Sequence, residues 1–80
     1  MIQKYVYILR CADGTFYTGS TNDVEARLKR HRAKYVRYTS SRLPVELVTY
    51  IAFTKKQRAY DFERYLKTGS GAAFFKKRLV

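Results

Sequence analysis

The sequence predicts an α+β fold, in which a small three-stranded antiparallel sheet is flanked by helices and the elements follow the order ββαβαα. Residues 3–10 and 45–53 are rich in Tyr, Val, Ile and Leu, as is typical of strands. Ala12-Asp13-Gly14 follows the first of these stretches and is a turn signal. Two stretches with apolar residues at helical spacing complete the pattern. Because at least one face of the sheet must be covered to make a core, we expect the helices to pack on it.

The first half of the chain is predicted to form a β-hairpin followed by a helix. The second strand of the hairpin covers residues 15–19, where Tyr, Thr and Phe dominate. Ser20-Thr21-Asn22 offers side chains that can cap a helix, and Asp23 and Glu25 are acids that favour a helix N-terminus. Val24 and Leu28 give this helix an apolar stripe, and we expect it to run to about residue 34.

The second half is predicted to contain a loop, a strand and two helices. Residues 35–42 have no strand or helix period and end before Leu43-Pro44, so they are expected to form a basic, aromatic loop. Thr54 can cap a helix that begins near residue 55, and Gly69-Ser70-Gly71 is expected to end it. A short helix over residues 72–79 follows. The buried side of the longer helix is predicted to consist of Ala59, Phe62 and Leu66.

Length and composition limit the kind of protein. No linker or internal repeat divides the sequence, so residues 1–80 are predicted to be one domain. Apolar residues make up 46% of the chain, which argues against intrinsic disorder. The longest apolar run, residues 5–9, is too short to span a membrane. Cys11 is the only cysteine, which excludes an internal disulfide and favours a reducing compartment. We therefore expect a cytoplasmic protein.

Charge is the first indication of function. The 17 Lys and Arg residues against 6 Asp and Glu residues give a net charge of +11. Solubility of a small domain needs a net charge of only about 2–8. The excess favours a polyanionic partner, and DNA, or alternatively RNA, is favoured over a lipid surface because the basic residues are interleaved with tyrosines along the whole chain.

Five residues are candidates for chemistry. Tyr7 and Tyr17 fall on adjacent strands of the predicted hairpin, and Arg27 and His31 are four apart on one face of the first helix. Glu63 is the acid nearest the apolar side of the second helix. Each also has a simpler explanation when taken singly. The tyrosines can be half-buried sheet residues, Arg27 and His31 a solvated helix face, and Glu63 an ion-pair partner of Lys67.

A second group of residues is predicted to bind nucleic acid. It combines phosphate-neutralising charge with an aromatic ring able to stack on a base. No DNA-reading helix, zinc finger or RNA-binding aromatic signature accompanies these residues, so we expect little sequence specificity. The predicted binding residues are Arg30, Lys34, Arg37, Tyr38, Arg42 and Lys67.

Taken together, these motifs resemble the GIY-YIG nuclease domain family. The resemblance rests on Tyr5-Val6-Tyr7, the stretch from Tyr17 to Asn22, Arg27-Leu28-Lys29-Arg30-His31 and Glu63, and it covers almost the whole chain. It is closest to the small single-domain members, whose loop and third strand are similar to residues 38–48. The family cuts DNA with one divalent metal. The resemblance implies that Tyr7 and Tyr17 are paired catalytic phenols, Arg27 and His31 further catalytic residues, and Glu63 the ligand of a Mg²⁺ or Mn²⁺ ion.

The sequence also departs from the family pattern. Tyr5 stands where the motif has glycine, and Thr18 where it has isoleucine. Larger members carry an asparagine after the metal-binding glutamate, whereas Asn22 is the only asparagine here. Two functions therefore remain open. One is a metal-dependent DNA endonuclease with structure-selective or weak sequence preference, and the other is a nucleic-acid-binding module without catalysis. A partner protein could supply specificity to either, and the sequence does not indicate an oligomeric state.

Overall fold

The computed structural model describes residues 1–80 and has one three-stranded antiparallel sheet with helices on both of its faces. The strands are β1 (Lys4–Arg10), β2 (Phe16–Thr21) and β3 (Glu46–Phe53), in the spatial order β2-β1-β3. The helices are α1 (Val24–Arg32), α2 (Arg37–Ser40), α3 (Lys56–Leu66) and α4 (Gly69–Phe74), and a π-helical turn (Phe75–Leu79) follows α4. The predicted α+β class and antiparallel sheet are confirmed.

Side chains of β1 alternate between two separate cores, because successive residues of a strand point to opposite faces. Val6 and Ile8 pack against α3 and the π-helical turn, through Ala59, Leu66 and Phe75. Tyr7 and Leu9 belong to a second cluster on the other face, with Cys11, Val45 and the adjoining Leu28 of α1. The central strand is therefore covered on both sides, and Tyr7 lies on the α1 side.

The first helix is shorter than predicted, and its cap is one residue later than the predicted capping segment. Asp23 is the N-cap, and its carboxylate accepts a hydrogen bond from Ala26 N–H at 3.0 Å. The helix ends at Arg32, and Lys34 adopts a φ of +68°. A residue in this left-handed region cannot continue a helix, so the chain turns there towards α2.

Residues 35–42 were predicted to form a loop, and the structure corrects this, because Arg37–Ser40 form the single turn α2. Four residues are too few to show a helical period. The turn is held instead by tertiary contacts. Arg42 donates from Nη1 to the Tyr38 carbonyl at 2.6 Å and pairs with Asp13 in the hairpin turn at 3.1 Å. The turn of the hairpin and α2 are thereby joined.

The C-terminal part also differs from its prediction. Thr54 does not cap α3; the first backbone N–H group of that helix, from Lys56, is bound by the Gln3 side chain at 3.0 Å. Gly69 begins a helix, whose N-cap is Thr68. A Cβ atom on Gly71 would overlap the Tyr65 carbonyl, so glycine is what allows α4 to start against the end of α3. No helix of the chain is both long and apolar enough to cross a bilayer.

Candidate active site

Tyr7 lies in the centre of the sheet, opposite Gly19 of β2. Its side chain is only 2% exposed, and the two residues are directly paired across the strands. A Cβ atom at position 19 would lie 2.6 Å from the Tyr7 hydroxyl oxygen and 2.7 Å from Cζ. No side chain fits into that space. The glycine of the second motif is therefore what allows the Tyr7 ring to lean across β2.

His31 of α1 contacts this phenol on the same face of the sheet. The imidazole is completely buried, and its Nε2 atom is hydrogen-bonded to the Tyr7 hydroxyl at 2.8 Å. Its other nitrogen, Nδ1, is hydrogen-bonded to the hydroxyl of Thr39 in α2 at 2.7 Å. The simpler explanation of His31, as part of a solvated helix face, is therefore wrong. Its two ring nitrogens connect β1 to α2.

Tyr17 and Arg27 complete the group on the α1 side of the sheet. The Tyr17 ring is half-buried and packs edge-on to His31 with ring centroids 4.9 Å apart, and its centroid lies 6.2 Å from that of Tyr7. Arg27 is half-buried one helical turn before His31, where it is close enough to lower the pKa of the Tyr7 phenol. Tyr7, Tyr17 and His31 are therefore in mutual contact, and Arg27 is near enough to affect the pKa values of Tyr7 and His31. Their spacing in the sequence alone did not establish this.

The pKa values in this group show what burial does. Burial raises the pKa of Tyr7 to about 12; the Arg27 hydrogen bond and charge oppose this rise, and the neighbouring Tyr17 phenol adds to it. Burial also lowers the pKa of His31, and the positive charge of Arg27 lowers it further. At neutral pH Tyr7 therefore keeps its proton and His31 is uncharged, so that the imidazole can accept a proton.

Glu63 lies apart from these side chains. It belongs to α3, which packs on the opposite face of β1 and against β2. Its side chain is 21% exposed, and its only hydrogen bond or ion pair is with Lys67 at 3.4 Å. The structure thus records no hydrogen bond or ion pair between Glu63 and Tyr7, Tyr17, Arg27 or His31. Its role as a metal ligand stays a prediction.

The donor atoms near Glu63 limit which metal could bind. No group of three or more His, Cys, Asp and Glu side chains is close enough to hold an ion by itself, which argues against a structural zinc site. A single carboxylate beside open solvent does fit Mg²⁺ or Mn²⁺, since Mg²⁺ keeps several of its water ligands and needs only one or two carboxylates. Lys67 would have to give up its ion pair to make room.

The predicted nucleic-acid-binding residues fall into three groups. Arg30, Lys34 and Arg37 are exposed along the end of α1 and the start of α2. Tyr38 and Arg42 instead contact each other. The Arg42 guanidinium lies 4.1 Å from the centre of the Tyr38 ring, and that ring also packs against Tyr17. Lys67 caps the C-terminal end of α3 and is paired with Glu63. Among the predicted binding residues, the exposed cations without an ion pair therefore lie in the segment that runs from α1 to α2.

Thr39 is the residue that sequence reasoning missed. In the sequence it belongs only to the predicted loop that is similar to the family, whereas in the structure it is completely buried and hydrogen-bonded to His31. A single threonine in a stretch without period carries no sequence signal of this role. Its contact depends on α2 folding back onto α1.

Comparison with known proteins shows the family of the chain. The family model for the GIY-YIG catalytic domain matches residues 3–78. A UPF0213 protein of Streptococcus agalactiae serotype V is 46% identical over 67 residues, which cover 82% of this chain and 76% of that protein. A UPF0213 protein of Lacticaseibacillus paracasei is 48% identical over 64 residues, covering 79% and 72% of the two chains.

A solved structure is also similar. The solution NMR structure of the UPF0213 protein BH0048 from Bacillus halodurans aligns with a TM-score of 0.52 and 46% sequence identity, over 80% of this chain and 69% of that one. The family match spans nearly the whole sequence, and the structure brings the motif tyrosines, arginine and histidine together. The chain therefore belongs to the GIY-YIG domain family, among relatives that are small UPF0213 proteins.

Proposed function

We propose that this protein is a metal-dependent endonuclease that hydrolyses DNA phosphodiester bonds, with a structure-selective or weak sequence preference. The observation that carries the proposal is the buried Tyr7–His31 pair beside Arg27. This arrangement brings a proton donor, a proton acceptor and a cation together on a small, strongly basic domain. It is useful if a proton must be removed next to a phosphate.

The pKa of Tyr7 decides how this site would work. A phenol with a pKa of about 12 is ionised in only about one molecule in 10⁵ at pH 7, a deficit of about 7 kcal/mol. A pre-formed phenolate is therefore a poor base here. A transfer in which Tyr7 accepts a proton from water while its own proton passes to His31 avoids that deficit, because the neutral imidazole already lies 2.8 Å away.

The remaining residues act on the phosphate. The hydroxide formed from the water attacks phosphorus, the bond to the leaving oxygen breaks, and that oxygen takes a proton from solvent. Arg27 would hold the non-bridging oxygens with its forked N–H groups and neutralise part of their charge. A Mg²⁺ or Mn²⁺ ion held by Glu63 would supply further charge neutralisation at the phosphate. Tyr17 packs against both Tyr7 and His31 and would fix their orientation.

A cleavage assay tests the proposal. Purified protein is incubated with single-stranded, duplex and branched DNA, and with single-stranded RNA, in Mg²⁺ or Mn²⁺. We expect Tyr7→Phe to lower kcat by about 10²–10⁴-fold, the usual contribution of general acid–base catalysis. Tyr60→Phe is the matched control, because this exposed tyrosine lies on α3 away from the site. Cleavage that is equal in both variants would contradict the assignment.

The metal assignment has its own control. Glu63→Gln should lower the cleavage rate and raise the Mg²⁺ concentration needed for the half-maximal rate, whereas Glu46→Gln, on an exposed glutamate of β3, should leave both unchanged. Loss of activity in both variants would point to a general effect of charge.

One observation favours the alternative of a nucleic-acid-binding module without catalysis: the Glu63 carboxylate is paired with Lys67 and has no hydrogen bond or ion pair with Tyr7, Tyr17, Arg27 or His31. Binding and cleavage separate the two functions. If Arg27, Arg30, Lys34 and Arg37 neutralise about four phosphates, log affinity should fall with log salt at a slope of about −3.6. That slope without cleavage of any substrate would establish the binding module, and a slope near −1 would contradict both functions. The composition supports a cytoplasmic location, and a protein partner could supply specificity.

A further inference from the structure

Thr39 holds His31 through the ring nitrogen that faces away from Tyr7. Its hydroxyl oxygen lies 2.7 Å from Nδ1, and both side chains are completely buried. Since neither side chain is exposed to solvent, each of the two atoms depends on a partner inside the protein for its hydrogen bond. A neutral imidazole carries one proton, on Nδ1 or on Nε2, and the partner of each nitrogen decides which tautomer is stable.

A count of donors and acceptors at the Thr39 end indicates the tautomer. The hydroxyl has one proton, and the Val36 carbonyl lies 3.3 Å away, where it can accept it. The hydroxyl oxygen is then left as an acceptor for a proton on Nδ1. This arrangement uses every polar atom of the contact.

The Tyr7 end leads to the same tautomer. Arg27 has only donors and approaches the Tyr7 oxygen. A proton on Nε2 would direct a second N–H group at that oxygen, beside the Arg27 charge. A bare Nε2 instead accepts the Tyr7 O–H proton, which leaves the lone pairs of the Tyr7 oxygen free to accept from Arg27.

We propose that Thr39 is a positioning residue that fixes His31 in the Nδ1–H tautomer, so that Nε2 is always free to accept the Tyr7 proton. The hydrogen bonds then run in one direction, from Tyr7 O–H to Nε2 and from Nδ1–H to Thr39, whose hydroxyl donates to the Val36 carbonyl. The part concerning catalysis rests on the proposed function; the tautomer does not.

The position of Thr39 is itself fixed from outside the site. Thr39 is in the single turn of α2, which Arg42 joins to the hairpin turn through the Tyr38 carbonyl and the Asp13 carboxylate. The Ala12 N–H group also donates to the Arg42 carbonyl at 2.9 Å. The turn that carries Thr39 is thus attached to the strands that carry Tyr7 and Tyr17, and the acceptor for Nδ1–H moves with them.

Nuclear magnetic resonance can observe the tautomer directly. His31 is the only histidine of the chain, so a tag-free protein labelled with ¹⁵N-histidine gives one imidazole signal pair. Long-range ¹H–¹⁵N correlation near pH 7.5 should show a protonated Nδ1 and an unprotonated, downfield Nε2. The opposite pattern in the wild-type protein would overturn the inference whether or not the protein cleaves DNA.

Two variants test whether Thr39 is the cause. Thr39→Val removes the acceptor with little change of shape, and an unsatisfied buried donor should shift the tautomer ratio about tenfold or more towards Nε2–H. Thr39→Ser keeps the hydroxyl and should restore the wild-type pattern. Thr49→Val, on β3, is the control and should leave the ratio unchanged. An unaltered ratio in Thr39→Val would refute the role of Thr39; if that variant does not fold, the wild-type pattern and Thr39→Ser still decide.

Cleavage kinetics separate this inference from the proposed function. Thr39→Val should lower kcat about 10- to 100-fold, by analogy with other residues that orient a reactive histidine, and should leave DNA affinity unchanged, while Thr39→Ser recovers most of the rate. A fall in affinity with unchanged kcat would contradict a positioning role. If the wild-type protein has the Nδ1–H tautomer and cleaves nothing, the proposed function fails and the tautomer assignment stands.

Discussion

Gly19→Ala tests the close approach of Tyr7 to β2. The new Cβ atom would lie 2.6 Å from the Tyr7 hydroxyl oxygen, against 3.4 Å or more for an ordinary contact, so the ring must move by about 0.8 Å. Gly19 does not have a positive φ, so backbone strain is not the cause. The movement breaks the 2.8 Å hydrogen bond between Tyr7 and His31, because the His31 ring is buried and hydrogen-bonded to Thr39 and cannot follow the Tyr7 ring.

The magnitude follows from two costs. Overpacking of a core costs about 1–3 kcal/mol, and a buried polar atom without its partner costs about 1–3 kcal/mol more. We expect a loss of about 2–6 kcal/mol. A domain of this size has a total free energy of unfolding of about 4–12 kcal/mol, so the substitution should remove a large fraction of it.

Urea unfolding measures the loss, with Gly69→Ala as the matched control. Nothing lies within 4 Å of a Cβ atom at Gly69, the first residue of α4, so the same substitution there should be neutral or stabilising by up to about 1 kcal/mol. The reasoning is refuted if Gly19→Ala unfolds within about 0.5 kcal/mol of wild type and the His31 imidazole signals are unchanged.

Three further predictions concern pH and capping. Because the folded-state pKa of Tyr7 is raised from 10.0 to about 12, its contribution is present below pH 10 and is lost as pH rises towards 12. Wild type should lose about 2–3 kcal/mol more than Tyr7→Phe over that range in urea unfolding, and equal losses would contradict the burial of the phenol. The folded-state pKa of His31 is lowered, so the stability that the neutral imidazole contributes is present above the unfolded pKa of about 6.5 and is lost as pH falls below it. His31→Gln should therefore lose less stability than wild type between pH 7 and 5. Identical curves of unfolding free energy against pH would contradict the neutral imidazole. The Thr68 hydroxyl accepts from Gly71 N–H at 3.1 Å, so Thr68→Ala should cost about 1 kcal/mol of the free energy of unfolding and Thr68→Ser much less, whereas equal losses would show that the cap hydroxyl contributes nothing.

The amino-acid pattern determined the sheet, both long helices and the family. Alternation of apolar residues in β1, the turn signal after it and the apolar spacing in α3 are local properties that depend only on neighbours in sequence. The charge of +11 likewise needs no structure. The sequence also placed Arg27 and His31 on one helix face, because residues four apart always share a face.

Tertiary structure alone decided which of these side chains meet and in what state. Thr39 belongs to a turn too short to have a period, and it reaches His31 only because Arg42 joins α2 to the hairpin. The raised pKa of Tyr7 and the lowered pKa of His31 come from burial, which depends on atoms distant in sequence. Glu63 is a second example. Helical spacing placed it near an apolar stripe, but that stripe packs on the face of the sheet opposite to Tyr7 and His31. Periodicity reports the face of an element, whereas contact between elements depends on how the whole chain packs.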